Sequence, residues 1–287
     1  MSSTNPQVDH GLIFVSDLAF DLNNGTLDLP AFPEVALRIK SALEDEDVTT
    51  EKVAKLISTD PVFSGKILKL ANSVMFNAAG HNIDDVRTAV TRMGFKVAYN
   101  TAMSIALEQL KSPSAPPHII AHLHECWHHS VQVAAYSYVI AKKQSKINPD
   151  TALLAGLLHD IGKYYILSRA EGYPELIDTP EILEEVLEEW HTGIGRAILE
   201  FWNLSEDLCT VADEHEEYGR HSTIIDLTDI VMVADLFSHR DEKDAAPDLQ
   251  WDDIHATRQL KLSEESAIEV IHESEEEILS IINSLES

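Results

Sequence analysis

Leu157-Leu158-His159-Asp160-Ile161-Gly162-Lys163 is the stretch that decides how this chain is read. An apolar run ends in adjacent imidazole and carboxylate, and glycine and lysine follow at once. The run is helical by its approach. Asn148-Pro149 supplies a capping side chain and a proline for the first helical position, and Leu153, Leu154, Leu157 and Leu158 then recur at three- and four-residue intervals. A nitrogen donor beside an oxygen donor suits a borderline divalent cation. Gly162 can release the helix, and Lys163 can meet a phosphate. Two readings stand at this point. Either the pair holds metal and the protein is, or descends from, a phosphohydrolase, or the pair is a polar patch in a helical bundle.

Working outward, the same start signals recur. Asp60-Pro61 precedes Phe63, Ile67 and Leu70, and Thr179-Pro180-Glu181 precedes Ile182, Val186 and Leu187. Ser205-Glu206-Asp207 opens a run with Leu208, Val211 and Ala212, its acidic residues favouring the helix dipole. Val86, Ala89, Val90 and Met93 keep helical spacing up to Gly94. Ser263 is expected to cap a last helix with Ile268, Ile271, Ile278 and Ile282 on its apolar side. No run alternates as a strand does, so the chain is predicted to be all-α. Lys111-Ser112-Pro113-Ser114-Ala115-Pro116-Pro117 cannot continue a helix and reads as a linker. It is expected to separate an N-terminal helical part (25–112) from a histidine-rich helical part (113–245). A charged stretch from His239 to Trp251 then leads to a C-terminal helical tail (246–287).

Composition narrows the function classes. The chain carries 21 basic against 49 acidic residues, a formal charge of -28, which disfavours a phosphate-backbone interface and adhesion to anionic lipid. Only Cys126 and Cys209 are available as thiols, and neither lies in a CxxC metal motif, so a reducing compartment is expected. Residues Met1 to His10 hold no apolar signal core, and no segment approaches the roughly 20 apolar residues of a membrane span. A cytoplasmic protein with no nucleic-acid or membrane partner is the expectation.

Several of these motifs, in this order, resemble the HDOD domain family, a branch of the HD metal-dependent phosphohydrolase superfamily. The N-terminal match runs through Leu29-Pro30-Ala31-Phe32-Pro33-Glu34-Val35-Ala36, Ile57-Ser58-Thr59-Asp60-Pro61, Leu70-Ala71-Asn72-Ser73 and Ala89-Val90-Thr91-Arg92-Met93-Gly94. It continues through Trp127-His128-His129-Ser130, the stretch from Gly156 to Lys163, and Trp202-Asn203-Leu204. The resemblance, spanning about Leu29 to Arg240, implies a multi-helix fold with an N-terminal subdomain packed on an HD-like subdomain. It also implies a bacterial role in signal transduction or regulation. Many members of the family have lost part of the metal-binding set.

The resemblance implies a site, residue by residue. His129 matches the first histidine of the HD pattern, His159 and Asp160 match the pair, and Asp235 matches the distal aspartate. His191 and His215 fall where two-metal members place extra ligands, with Asp160 as the natural bridge. One or two divalent ions are implied (iron, manganese, zinc, cobalt or nickel), with Asp160 and Lys163 as catalytic residues. The residues alone leave alternatives open. Asp235, among Val233, Ala234 and Phe237, needs a partner, and that partner is a metal, a helix cap or a buried histidine. His215 shares the inward face of Leu208, Val211 and Ala212, so a hydrogen-bonded core histidine is its alternative, and the same holds for His191.

The crowded His118, His122, His124 and His128 read as a solvated stripe, and His221 and His239 as exposed. Trp127, Tyr136 and Tyr138 read as core or interface aromatics. Gly172-Tyr173-Pro174 spells the triplet of the cyclic-di-GMP phosphodiesterases but precedes His191, which is the wrong position, so it reads as a turn in which Pro174 ends local structure. Two functional readings result. One is a regulatory HDOD module with a divalent metal centre, binding a signalling protein or a nucleotide-like ligand. The other is an active metal-dependent phosphohydrolase on a nucleotide or phosphate ester.

Overall fold

The computed structural model describes residues 10–24, 34–43, 45, 47–73, 76–77, 80–108, 115–240 and 251–286. These residues form α-helices and one short 3-10 turn, with no strand among them. The N-terminal helices are α1 (His10–Asn24), α2 (Glu34–Leu43), α3 (Thr50–Ile57), α4 (Pro61–Ala71), α5 (Val86–Met93) and α6 (Phe95–Glu108). The next group is α7 (Pro117–Gln144), α8 (Pro149–Leu158), α9 (Ile161–Ala170), α10 (Pro174–Ile177), α11 (Pro180–Phe201), α12 (Glu206–Glu214) and α13 (Leu227–Ser238). The tail holds the 3-10 turn Trp251–Asp253, then α14 (His255–Leu260), α15 (Glu264–His272) and α16 (Glu275–Leu285). Residues 29–33, most of the predicted linker (111–114), and 241–250 lie outside the described residues.

Some of the start signals act as capping chemistry requires. The Asp60 carboxylate accepts from Phe63 N at 3.1 Å, Asp85 from Thr88 N at 2.8 Å, and Asn148 from Thr151 N at 3.2 Å. The helices after Thr179 and Ser205 begin where predicted, but neither side chain makes the cap bond. Gly94 closes α5 at a φ of 85°, which a side chain would resist. The predicted last helix is two helices, because the chain turns at Glu273-Ser274. Two directions are needed there: α15 packs on α7, whereas α16 reaches both α7 and α4. Ile268 is consequently exposed, and the buried face of α16 is Ile278, Ile281 and Leu285.

The long helix α7 is the spine of the second part, with α8, α9, α13, α15 and α16 against it. A side chain on Gly156 would come within 2.8 Å of the Ala134 backbone, so glycine there lets α8 lie close on α7. The N-terminal helices join this body through α6 on α8, and Lys40 of α2 donates to the Trp202 and Asn203 carbonyls after α11. Helix α1 buries Phe14, Val15 and Leu18 and packs on α10 and α11. Tyr173 of the Gly-Tyr-Pro triplet serves this contact: its ring lies edge-on to Phe14 at 4.8 Å and its hydroxyl donates to Asp17 at 2.8 Å. Pro174 opens the short α10 rather than ending local structure. No helix among the described residues is long and apolar enough to cross a membrane.

Candidate metal centre

Five helical segments deliver donor groups to one point. The middle of α7 presents His129, the break between α8 and α9 presents His159 and Asp160, α11 presents His191, the end of α12 presents His215, and α13 presents Asp235. His129 Nε2 lies 3.0 Å from Asp235 Oδ1, 3.2 Å from His159 Nε2 and 3.7 Å from Asp160 Oδ2. His159 Nε2 is 3.4 Å from Asp160 Oδ2 and 3.8 Å from Asp235 Oδ1. On the other side, Asp160 Oδ1 is 3.5 Å from both His191 Nε2 and His215 Nε2. Asp160 thus turns one oxygen to His129 and His159 and the other to His191 and His215. All six residues suggested by the sequence stand in one cluster.

The imidazoles are held from behind. The Nδ1 of His159 lies 2.7 Å from the Gly156 carbonyl, that of His191 2.7 Å from Leu187 O, and that of His215 3.1 Å from Val211 O. A carbonyl only accepts, so each Nδ1 carries the proton, and in the neutral ring each Nε2 faces the cluster as a lone pair. His191 Nε2, His215 Nε2, Asp160 Oδ1 and Asp235 Oδ1 are all buried without a hydrogen-bond donor. Converging acceptors with no proton between them are costly, and a cation is the partner that answers all of them at once. Donors about 2.0–2.2 Å from one ion stand roughly 3.0–3.5 Å from one another, which is the scale of the separations here. The donor set therefore fits a divalent metal.

The charges agree with that fit. Burial pushes the His159 pKa down to about 3, so its ring is neutral and ready to ligate. Burial opposes the Asp160 charge, but the Lys163 ammonium and then the surrounding imidazoles hold its pKa well below the usual carboxylate range. Asp235 is lowered in the same way, burial being overcome by His129 and His239. For His215, burial is outweighed by Asp160 and the pKa is raised, so in the metal-free chain its Nε2 takes a proton more readily and a cation would have to displace it. Lys163 Nζ donates to Asp160 Oδ2 at 2.8 Å, and carboxylates overcome its burial to raise its pKa, so it stays charged.

Gly162 has a different task from the one its sequence position suggests. The helix breaks before it, at His159 and Asp160, and α9 starts at Ile161. A Cβ on Gly162 would stand 1.9 Å from the His191 carbonyl oxygen and 2.9 Å from Gly195 N. Its lack of a side chain lets α9 touch the α11 backbone, and this brings Asp160 to His191. Beyond α12, Arg220 ties down the connecting loop. It donates to Glu214 at 2.7 Å, to Asp229 at 2.9 Å and also to Asp226, and Asp226 and Asp229 cap the start of α13 reciprocally.

Two residues facing the cluster were not singled out from the sequence. Glu216 Oε1 lies 3.5 Å from His191 Nε2 and 3.9 Å from both His215 Nε2 and Lys163 Nζ. His239, expected to be exposed, is part-buried with Nε2 3.5 Å from Asp235 Oδ1, its ring 4.7 Å from that of His129. Its spacing of four from Asp235 was the available signal, since such pairs share a helical face. Glu216 had only its adjacency to His215. His118, His124 and His128 are exposed as expected, whereas His122 lines the mouth of the site. The centre opens into a cleft of about 510 Å³ whose lining includes His129, Asp160, Lys163 and His239.

Comparison with known proteins places this geometry. The HDOD domain family matches residues 29–218. An uncharacterized protein of Treponema pallidum (strain Nichols) is 26% identical over 205 residues, covering 66% of this chain, and the chain spans 37% of that protein's length. Among solved structures, a candidate metal-dependent phosphohydrolase from Shewanella amazonensis SB2B superposes with a TM-score of 0.78 at 26% identity, covering 97% of this chain and all of that one. An HDOD domain protein from Geobacter sulfurreducens gives a TM-score of 0.69 at 24% identity, over 94% and 97% of the two chains. A candidate signal transduction protein from Marinobacter aquaeolei VT8 gives 0.66 at 18% identity, over 99% and 68%. The family match ends before Asp235 and His239, which complete the cluster from outside it.

Proposed function

The chain belongs to the HDOD domain family, and from that premise we propose that it is a metal-dependent phosphohydrolase acting on a phosphate ester. The observation that carries this reading is the set of buried, donor-less acceptor atoms on Asp160, His191, His215 and Asp235, of which Asp160 also lines an open cleft. His129, His159, Asp160 and Asp235 would hold one divalent ion. Asp160, His191 and His215, with Glu216 beside them, would hold a second. Bound divalent ions supply polarisation of phosphoryl oxygens and an acidified water near neutral pH. Iron, manganese, zinc, cobalt and nickel all suit mixed imidazole and carboxylate donors. Lys163, charged and facing the cleft, would bind a non-bridging phosphate oxygen. Asp160 would orient that ammonium through the 2.8 Å bond. A cytoplasmic setting is part of this reading, in keeping with the free thiols Cys126 and Cys209.

Metal content and phosphate release test it together. Full-length chain loaded with manganese or iron is expected to retain metal and to hydrolyse a member of a panel of phosphate monoesters, diesters and nucleotides. Asp160→Ala should abolish turnover while the helical spectrum is kept. A chain that takes up neither ion overturns the reading.

A regulatory role is the second reading, favoured by one feature. Among the described residues, those of the cluster all lie between 129 and 239, and none comes from α1 to α6. Those helices would then serve a signalling partner or a nucleotide-like ligand. A metal-loaded chain silent across the panel, yet saturably bound by such a partner through α1 to α6, supports this reading over hydrolysis.

A further inference from the structure

The walls of the cleft carry a charge pattern that the metal centre does not need. Three exposed carboxylates, Glu125 on α7 and Glu184 and Glu188 on α11, line it together with His122, and among the described lining residues Lys163 is the one lysine or arginine. Their spacing is regular. Glu125 is four residues before His129, while Glu188 and Glu184 are three and seven before His191, so each shares the helical face of a candidate ligand. At 1.5 Å per residue they stand about 4.5, 6 and 10.5 Å along the helices from the ligand level. The end of the cleft lined by Lys163 and Asp160 is suited to a phosphate, with the cation-seeking acceptors Asp160 Oδ1, His191 Nε2 and His215 Nε2 buried beside it. The mouth repels one. A ligand with a second phosphate would put that group against the glutamates, in a chain whose formal charge is already -28.

We infer that this cleft selects small phosphate esters whose alcohol portion carries a protonated amine or quaternary ammonium, with Glu125, Glu184 and Glu188 as specificity-determining residues. The inference rests on the phosphohydrolase reading for its phosphate end and on the charge of the mouth for the other. In such a ligand the nitrogen lies a few bonds from phosphorus, which matches the one- to two-turn offset of the carboxylates. The cleft, at about 510 Å³, accommodates a molecule of that size. The reaction consumes one water: the ester P–O bond breaks, the water oxygen joins phosphorus, and the departing alkoxide takes up a water proton to leave as the amino alcohol. Dinucleotides, polyphosphates and carboxylated phosphate esters are disfavoured by the same charges.

The test uses manganese-loaded full-length chain with O-phosphoethanolamine, the neutral 2-hydroxyethyl phosphate and the anionic phosphoglycolate. Both phosphate release and calorimetric binding are followed. Three carboxylates at these distances are expected to favour the amine ester over phosphoglycolate by about tenfold or more at low salt. Glu125→Gln, Glu184→Gln and Glu188→Gln combined should shrink that ratio at least threefold, mainly because phosphoglycolate improves. The three side chains are exposed, so the variant is expected to fold, and an unchanged melting temperature checks this. Preferential binding of the amine ester without turnover upholds the inference and overturns hydrolysis. Turnover with equal or reversed preference overturns the inference and leaves hydrolysis standing. Absence of binding by all three at millimolar concentration overturns both.

Discussion

Gly162→Ala is the most informative single perturbation, because the structure predicts both its size and its reach. The added methyl would be placed 1.9 Å from the His191 carbonyl oxygen, 2.8 Å from His191 C and 2.9 Å from Gly195 N. These are backbone atoms of α11, so no side chain can swing aside. To restore even a tight contact of about 3 Å, α9 and α11 must separate by roughly 1 Å. Overpacking of this kind costs about 1–3 kcal/mol, and the rigid partner places this case at the upper end. For a chain of this length about 3 kcal/mol corresponds to a fall in Tm of roughly 5–10 °C. The same separation pulls Asp160 away from His191, whose contact is 3.5 Å, while metal–ligand distances tolerate shifts of only about 0.2 Å. Metal retention should therefore fall together with Tm. Gly193→Ala is the matched control, since a Cβ there meets nothing within 4 Å in the same helix. It is expected to be neutral or to stabilise by up to about 1 kcal/mol. Thermal melts by circular dichroism and metal content after dialysis read both effects. A Gly162→Ala chain that melts with the parent and keeps its metal would refute the account of why glycine stands there.

Two further outcomes follow from the charges. In the metal-stripped chain, His159 resists protonation down to about 3, whereas in the unfolded chain it takes a proton near 6.5. The unfolded state is then the better proton binder below pH 6.5, so stability should fall as the pH is lowered from 7 to 5. Asp160 and Asp235, both held low, add a loss of the same sign below about pH 4. His215, shifted upward because Asp160 outweighs its burial, acts in the opposite sense, so the expected fall is what remains of the His159 contribution. A melting temperature that is flat or rises on acidification from pH 7 to 5 contradicts this balance. Arg220→Ala removes the partner of Asp229, whose side chain is buried, and should cost about 2 kcal/mol in chemical denaturation. Because the loop it fastens carries Glu216, metal retention should weaken as well, and an unaltered denaturation midpoint would show that Glu214, Asp226 and Asp229 do not depend on Arg220.

Much of this was legible from residue order. Asp60-Pro61 and Asn148-Pro149 announce helix starts through chemistry confined to a few neighbouring residues, and those helices begin there. The four donor types of the HD pattern also stand in order along the chain. The single last helix read from Ile268 to Ile282 shows where such reading ends, because one apolar period continues across a turn at Glu273-Ser274 that is set by where α7 and α4 lie. Glu216 was overlooked for a related reason, having no local pattern that distinguishes it from a solvated residue, whereas the spacing of four between Asp235 and His239 was a signal left unused.

The order of residues by itself determined an all-helical chain, its main helix starts and the kinds of donor available to a cation. Tertiary structure alone decided that donors from five helical segments meet within ligand distance, that Asp160 divides its two oxygens between two pairs of imidazoles, and that Gly162 serves a helix contact rather than a helix end. The physical reason is one of range. Capping and periodicity involve residues a few positions apart, whereas distances between side chains on α7, α9, α11, α12 and α13 are fixed by how closely whole helices approach, and that depends on every side chain packed between them.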